Sequence, residues 1–182
     1  DGMDVTVEDR TTDRPPVTLS RAGLELQELS SDPAIHAHPI GLRFDSGFKE
    51  AEKARLTLDG TVDLRDLKLL VDIASELKEL PIALVEPYMR SSLPVTFGPK
   101  TVVDLGLPLG IDDFRIDWRP FIRLDRLEVQ VRDPEETRRI AGLPAETVAR
   151  ELSRVGWIEL RDIRLHGPIW APMVELGDTI RQ

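Results

Sequence analysis

Cysteine is absent from the 182 residues. Disulfide scaffolds, thiolate metal sites and cysteine nucleophiles are therefore excluded, while the compartment stays open. Asparagine is absent too, which removes glycosylation sequons. No apolar run approaches the roughly 18 residues that a membrane span needs, and no signal-peptide pattern is visible. The sequence has no G-x-S-x-G nucleophile elbow. The glycines from Gly106 to Gly110 lack both the spacing and the following lysine of a phosphate loop. Aromatic residues make up only 5%. Basic runs are missing as well: 24 Lys and Arg are scattered among 33 Asp and Glu, for a net charge of -9. That balance disfavours nucleic acid held through phosphate neutralisation and attraction to an anionic membrane surface.

What remains is a globular composition, 41% hydrophobic and 31% charged, with much of the apolar content in Leu, Val and Ile. The length fits one domain or two small joined lobes. The chain begins inside a strand-like pattern, Met3-Asp4-Val5-Thr6-Val7, and so reads as an excised domain or a processed form. The lack of an anchor within it accordingly says little about a full-length protein.

The organising stretch is Lys53 to Met89. Leu56, Leu58, Val62 and Leu64 point one way and Arg55, Thr57, Asp59, Thr61 and Asp63 the other, the two-residue period of a strand with one dry face. Asp59-Gly60 predicts a bulge or tight turn within it. A second alternation follows at Leu67, Leu69, Val71 and Ile73, before a helical or turn pattern ending at Pro87-Tyr88-Met89. Further strands are predicted at 3–8, 17–20, 24–29, 40–44 and 95–97, a bent or bulged strand at 99–110, and more sheet from 114 to 131 and 157 to 166. The residues after Gly167 read as irregular. The helix signal lies at 134–155: Asp133 as N-cap, Pro134 at the first position, Val148, Leu152 and Val155 on one face, and Gly156 as the stop, with Gly142 and Pro144 splitting the segment. Strand alternation nearly everywhere predicts a mostly β protein. Its core is a curved antiparallel sheet, an open groove or sandwich-like, with a helical insertion near 134–155.

Few residues offer chemistry. His36 and His38 would share one side of an extended segment, and Asp32 or Asp45 would join them on a zinc or copper ion; the plainer reading is a polar loop before Pro39, with no metal. Asp9, Asp13, Asp112, Asp113 and Asp117 are carboxylates that nothing in the sequence pairs, and they read as solvated faces and ion pairs. Trp118, Trp157 and Trp170 read as core or rim. No catalytic residue and no cofactor is expected. The apolar strand faces are either an ordinary core closed by the helix, the simpler reading of the residues alone, or a half-open groove that receives an acyl chain.

A resemblance adds to this. Val5-Thr6-Val7-Glu8-Asp9-Arg10 is a strand leading to an acidic-Arg turn, followed by Pro15-Pro16. Leu24-Glu25-Leu26-Gln27-Glu28-Leu29-Ser30 follows, then a strand ending in Gly-x-Val, Leu56-Thr57-Leu58-Asp59-Gly60-Thr61-Val62, and a short element ending in Pro87-Tyr88. In that order, over residues 4 to 98, the chain resembles the AsmA-like and TamB-like superfamily of bacterial envelope proteins, and within it a periplasmic branch known as a domain of unknown function. The helix at 134–155 and the loose Gly-Pro segment at 98–110 depart from the family pattern. The division this suggests is an antiparallel β repeat over 1–98 and a second β lobe with the amphipathic helix over 99–182.

The resemblance implies a long curved sheet with an apolar face. It implies a periplasmic location in a Gram-negative bacterium, and inner-membrane anchoring through segments outside this chain. It also implies a role in moving phospholipid. On it rests the expectation of a non-enzymatic envelope module that binds or conducts phospholipid acyl chains along Leu56, Leu58, Val62, Leu64, Leu69, Val71 and Ile73. The alternative is a structural or assembly subunit of an envelope complex that works through protein partners. Eight strands about 4.8 Å apart make a face about 38 Å long. An acyl chain needs about 15 Å, half a bilayer core, so one such unit shelters one or two lipids and does not bridge an envelope alone.

Overall fold

The computed structural model describes residues 2–7, 16–29, 39–65, 68–89, 93–135, 139–140, 142–176 and 180–181. Five strands open the chain as an antiparallel meander: β1 (Met3–Val7), β2 (Val17–Gln27), β3 (Ile40–Phe48), β4 (Ala51–Arg65) and β5 (Lys68–Pro81). The helix α1 (Ile82–Met89) follows. Then come the short strands β6 (Val95–Phe97), β7 (Val102–Gly106), β8 (Leu109–Asp112), β9 (Arg115–Trp118), β10 (Phe121–Asp125), β11 (Val129–Val131), β12 (Arg139–Ile140) and β13 (Leu143–Pro144). The helix α2 (Ala145–Val155) precedes β14 (Trp157–Leu160), β15 (Ile163–Pro168), β16 (Met173–Leu176) and β17 (Ile180–Arg181). Thirteen of the strands share one large curved antiparallel sheet that does not close into a barrel. The mostly β architecture with a helical insertion is thus the one the alternation predicts.

The short strands of the second half combine into long, creased ones. β7 and β8 both pair with β5, at Glu76–Pro81 and Leu70–Ile73 respectively, so residues 102–112 form one strand interrupted at Leu107-Pro108. β10 pairs with β7 and β9 with β8, interrupted at Arg119-Pro120. β14 pairs with β10 and β15 with β9, interrupted at Arg161-Asp162. Proline has no N–H to donate and disrupts a ladder, and prolines stand at two of these three aligned breaks. Ser75 bridges the first: its carbonyl accepts from Leu107 N–H at 2.8 Å, and its hydroxyl donates to Leu107 O at 3.2 Å. The pairing of β5 with β7, with a register shift between Leu77 and Leu80, carries the ladder from the first 98 residues into the rest.

Beyond one side of the crease the apolar face is closed. Phe48, Ala51, Ala54, Leu80, Ile82 and Val103 form a buried cluster joined by Leu84 and Val85 of α1 and by Leu56, Leu77, Leu105, Ile122 and Leu124 of the sheet. A second cluster, Leu127, Val129 and Ala149, joins α2 and the β6–β11 pair to Leu124 and Ile158. Thr101 is fully buried between them. Its hydroxyl donates to Arg126 O at 3.1 Å and accepts from Glu128 N–H at 3.2 Å, and its carbonyl accepts from Ile82 N–H at 3.0 Å.

Several local expectations are corrected. Residues 17–20 and 24–29 are not two strands: β2 runs on through a bulge at Arg21 (φ 54°), where the register against β3 shifts between Ser20 and Gly23. Asp59-Gly60 is neither a turn nor a bulge. β4 passes through it in unbroken register with β5. The helix occupies only the second half of its expected span. Asp133 accepts from Glu135 N–H at 3.2 Å in a turn instead of capping a helix, and Arg139–Ile140 pairs with Leu143–Pro144 around left-handed Gly142. Gly156 (φ 79°) does end α2, donating to Leu152 O. The residues after Gly167 supply β16 and β17, two strands where irregular chain was expected.

Candidate functional site

The ladder registers decide which side chains share a face. Leu56 lies opposite Leu77, Val62 opposite Val71 and Leu64 opposite Leu69. Leu58 faces Phe44 on β3 and Ser75 on β5. Ile73 lies opposite Gly60, whose missing side chain it fills: a Cβ on Gly60 would stand 2.3 Å from Asp72 O and 2.9 Å from Ile73 Cγ1. All seven residues singled out from the sequence therefore stand on one face of the β4–β5 pair.

The face continues on both sides. Leu42 lies beyond Gly60, and across from Ile73 come Leu109, Trp118 and Leu165 in turn. One register step away, Val71 is followed by Ile111 and Ile116. The seven candidates do not share one environment. Leu56 packs against the closed cluster. Leu58, Val62, Leu69, Val71 and Ile73 are half-buried, Leu64 is exposed, and these six belong to neither cluster. Both helices pack at the opposite end of the sheet. The result is an apolar surface several strands wide, lined by side chains only partly withdrawn from water.

The reverse face is charged. At the crease Arg119, Pro120, Phe121, Arg161, Asp162, Ile163, Arg164 and Glu175 line a cleft of about 520 Å³. Its arginines are committed. Asp117 accepts two hydrogen bonds from Arg164, both at 2.9 Å, and two from Arg119, at 3.1 and 2.8 Å. These guanidinium groups, Arg164 first, hold the Asp117 carboxyl far below the usual carboxylate range. Arg161 is paired with Glu159, a buried carboxylate, and lies over the Phe121 ring at 5.8 Å. Arg123 bonds Asp125 at 2.7 and 3.0 Å and covers the Trp157 ring at 5.3 Å. The charges cancel locally, so the cleft presents no surplus cation to an anionic ligand.

The remaining sequence candidates are dispersed. His36, His38, Asp32, Asp9 and Asp13 lie outside the described residues, and Asp45 is exposed on the charged face. Among the described residues no group of three or more His, Asp and Glu stands close enough to hold a metal ion. His166 lies 3.5 Å from Glu175. The Arg164–Asp117 pair was missed in the sequence because its members are 47 residues apart, and only the register of β9 against β15 brings them together. No described helix is long and apolar enough to cross a membrane. Comparison with protein-family models, with curated proteins and with solved structures finds no match.

Proposed function

We propose that the chain is a non-enzymatic cell-envelope module that binds or conducts phospholipid acyl chains along the apolar face of its sheet. The observation that carries the reading is the half-buried surface of Leu58, Val62, Leu69, Val71 and Ile73, which extends to Leu109, Ile111 and Trp118 and lies outside both packed clusters. A bare apolar surface is costly in water at about 25 cal/mol per Å², and covering it with an acyl chain gains about 0.8 kcal/mol per methylene. No polar site is needed for affinity. The resemblance to AsmA-like envelope proteins supports the same reading, and with it a periplasmic location, anchoring through segments outside this chain, and passage of lipid between units.

Organic extraction and mass spectrometry of the purified protein, together with titration of a fluorescent fatty acid, test the proposal. Co-purifying lipid and saturable binding are expected. Leu58→Glu or Val71→Glu, each a charge on the face, should weaken fatty-acid binding roughly tenfold or more, the equivalent of about 1.4 kcal/mol. No extractable lipid and no fatty-acid binding would end the reading.

The assembly-subunit reading has one observation of its own. β1 pairs with β2 and, among the described residues, with nothing on its outer side, and Met3 and Val7 are exposed on it. A free strand edge is a template for pairing with another chain. A stable protein partner in size-exclusion chromatography, without bound lipid, would favour it.

A further inference from the structure

The paired ends of β4 and β5 and two hairpin turns, β8–β9 and β15–β16, meet at the end of the sheet away from the two helices. The start of β5 lies beside the β8–β9 turn, where Asp113 N–H donates to Leu69 O at 3.1 Å; that turn lies beside the β15–β16 connection, where Ile169 N–H donates to Phe114 O at 3.0 Å. Ladder bonds and these two links hold them in a row. The row is apolar where turns are ordinarily polar. Leu64 is 69% exposed, Leu70 38%, Phe114 43%, Ile169 43% and Trp170 78%.

Phe114 carries a second, independent signal. Asp112 pairs with Arg115, so Asp113 and Phe114 form a two-residue hairpin loop, and both have left-handed backbones, with φ of 46° and 61°. Such loops ordinarily take Asn-Gly or Asp-Gly, because a side chain at positive φ is strained and a bulky ring most of all. The fold thus keeps an exposed aromatic ring at a position where glycine would be more stable. A strained backbone beneath an exposed aromatic at a turn tip is the kind of outlier from which a functional contact is inferred.

The surroundings of the row identify that contact. Lys68 and Arg115 stand among Asp112 and Asp113, all exposed, so the described tips carry two charges of each sign between their apolar side chains. That pattern matches a zwitterionic headgroup layer, whose phosphates meet the bases and whose amines meet the acids. Tryptophan and phenylalanine favour the same interfacial depth. The row also adjoins the apolar face: Leu64 and Leu69 lie at the tips, and Val62, Val71 and Ile111 follow directly on the sheet. We infer that the hairpin row of Leu64, Leu70, Phe114, Ile169 and Trp170 dips into the interface of a zwitterionic phospholipid bilayer and sets the apolar face against it, so that an acyl chain passes between them without crossing water. This rests on the acyl-binding reading proposed above.

Two assays separate the two ideas: flotation of the full chain with phosphatidylcholine vesicles, and titration of a fluorescent fatty acid with no vesicles present. In a Trp118→Phe, Trp157→Phe background, Trp170 emission should shift to the blue on vesicles and be quenched by brominated phosphatidylcholine. Trp170→Asp and Phe114→Asn should each lower vesicle partition roughly tenfold. Both variants should keep fatty-acid binding, and Phe114→Asn should melt no lower than the parent, since Asn tolerates the left-handed position. A merely structural Phe114 would instead melt lower on replacement. Fatty-acid binding without vesicle binding, or with vesicle binding indifferent to both substitutions, overturns the docking edge and leaves the acyl face standing. Tip-dependent vesicle binding without fatty-acid binding retains the edge and overturns the acyl face. Binding to neither overturns both.

Discussion

At the scale of single residues the fold is held by polar groups whose partners come from distant parts of the chain. Thr101 is the plainest case inside: one hydroxyl serves a carbonyl and an amide 25 and 27 residues away. Asp117 is the case outside, a half-exposed carboxylate gripped by Arg164, 47 residues away, as well as by the neighbouring Arg119. Its lowered folded-state pKa means that the ionised form is bound more tightly in the folded chain than in the unfolded one, whose value is about 3.9. The stability it contributes is therefore fully present above about pH 4 and is lost as pH falls toward the lowered folded value. Asp117→Asn should lower the urea midpoint at pH 7, with less effect in 1 M salt, because the group is open to screening. The gap between parent and variant should narrow when the titrations are repeated near pH 3. A gap that is the same at both pH values would mean that the ion pairs contribute nothing and that only packing is lost.

At the scale of elements, alternation was enough to read the strands, because a period of two is a local property of the sequence. It also placed Leu56, Leu58, Val62, Leu64, Leu69, Val71 and Ile73 on one face. The crease was not legible: Leu107-Pro108, Arg119-Pro120 and Arg161-Asp162 look like three unrelated breaks until the registers of distant strands align them. The apolar tips were equally hidden: Phe114 alternates with Ile116 and Trp118 and so reads as strand, although it stands in the turn before β9, and Trp170 is an isolated aromatic in a segment that reads as irregular. Asp133-Pro134 gave a false helix start because a cap needs a continuing helix, and the left-handed Gly142 with Pro144 prevents one. Gly60 was misread because glycine marks both turns and close approaches. The two roles separate by experiment. In β4 the space beside Gly60 is filled by Asp72 and Ile73, whereas Gly23 in β2 has nothing within 4 Å. Gly60→Ala should cost about 1–3 kcal/mol through displaced backbone. Gly23→Ala should be neutral or gain about 0.4–1 kcal/mol by restricting the unfolded chain. Equal effects in chemical denaturation would remove the close-approach account of Gly60.

At the scale of the molecule, two properties pull in different directions. On the proposed reading the apolar face and its hairpin row favour a lipid phase, while a net charge of -9 repels a surface of the same sign. Attraction through apolar contact is short-ranged and insensitive to salt, whereas the repulsion acts over a Debye length of about 10 Å at 0.1 M salt and only about 3 Å at 1 M. Lipid composition should therefore matter most at low ionic strength. Replacing a third of the phosphatidylcholine by phosphatidylglycerol should weaken vesicle association in dilute buffer and leave it nearly unchanged in 1 M salt. The opposite result, tighter binding to anionic vesicles that salt abolishes, would mean that local basic groups such as Lys68 and Arg115 dominate the contact. The mixed charges of the hairpin row would then serve phosphate recognition instead of a match to zwitterionic headgroups. Measuring both vesicle types at both salt concentrations separates the summed charge of the molecule from the charge at its edge.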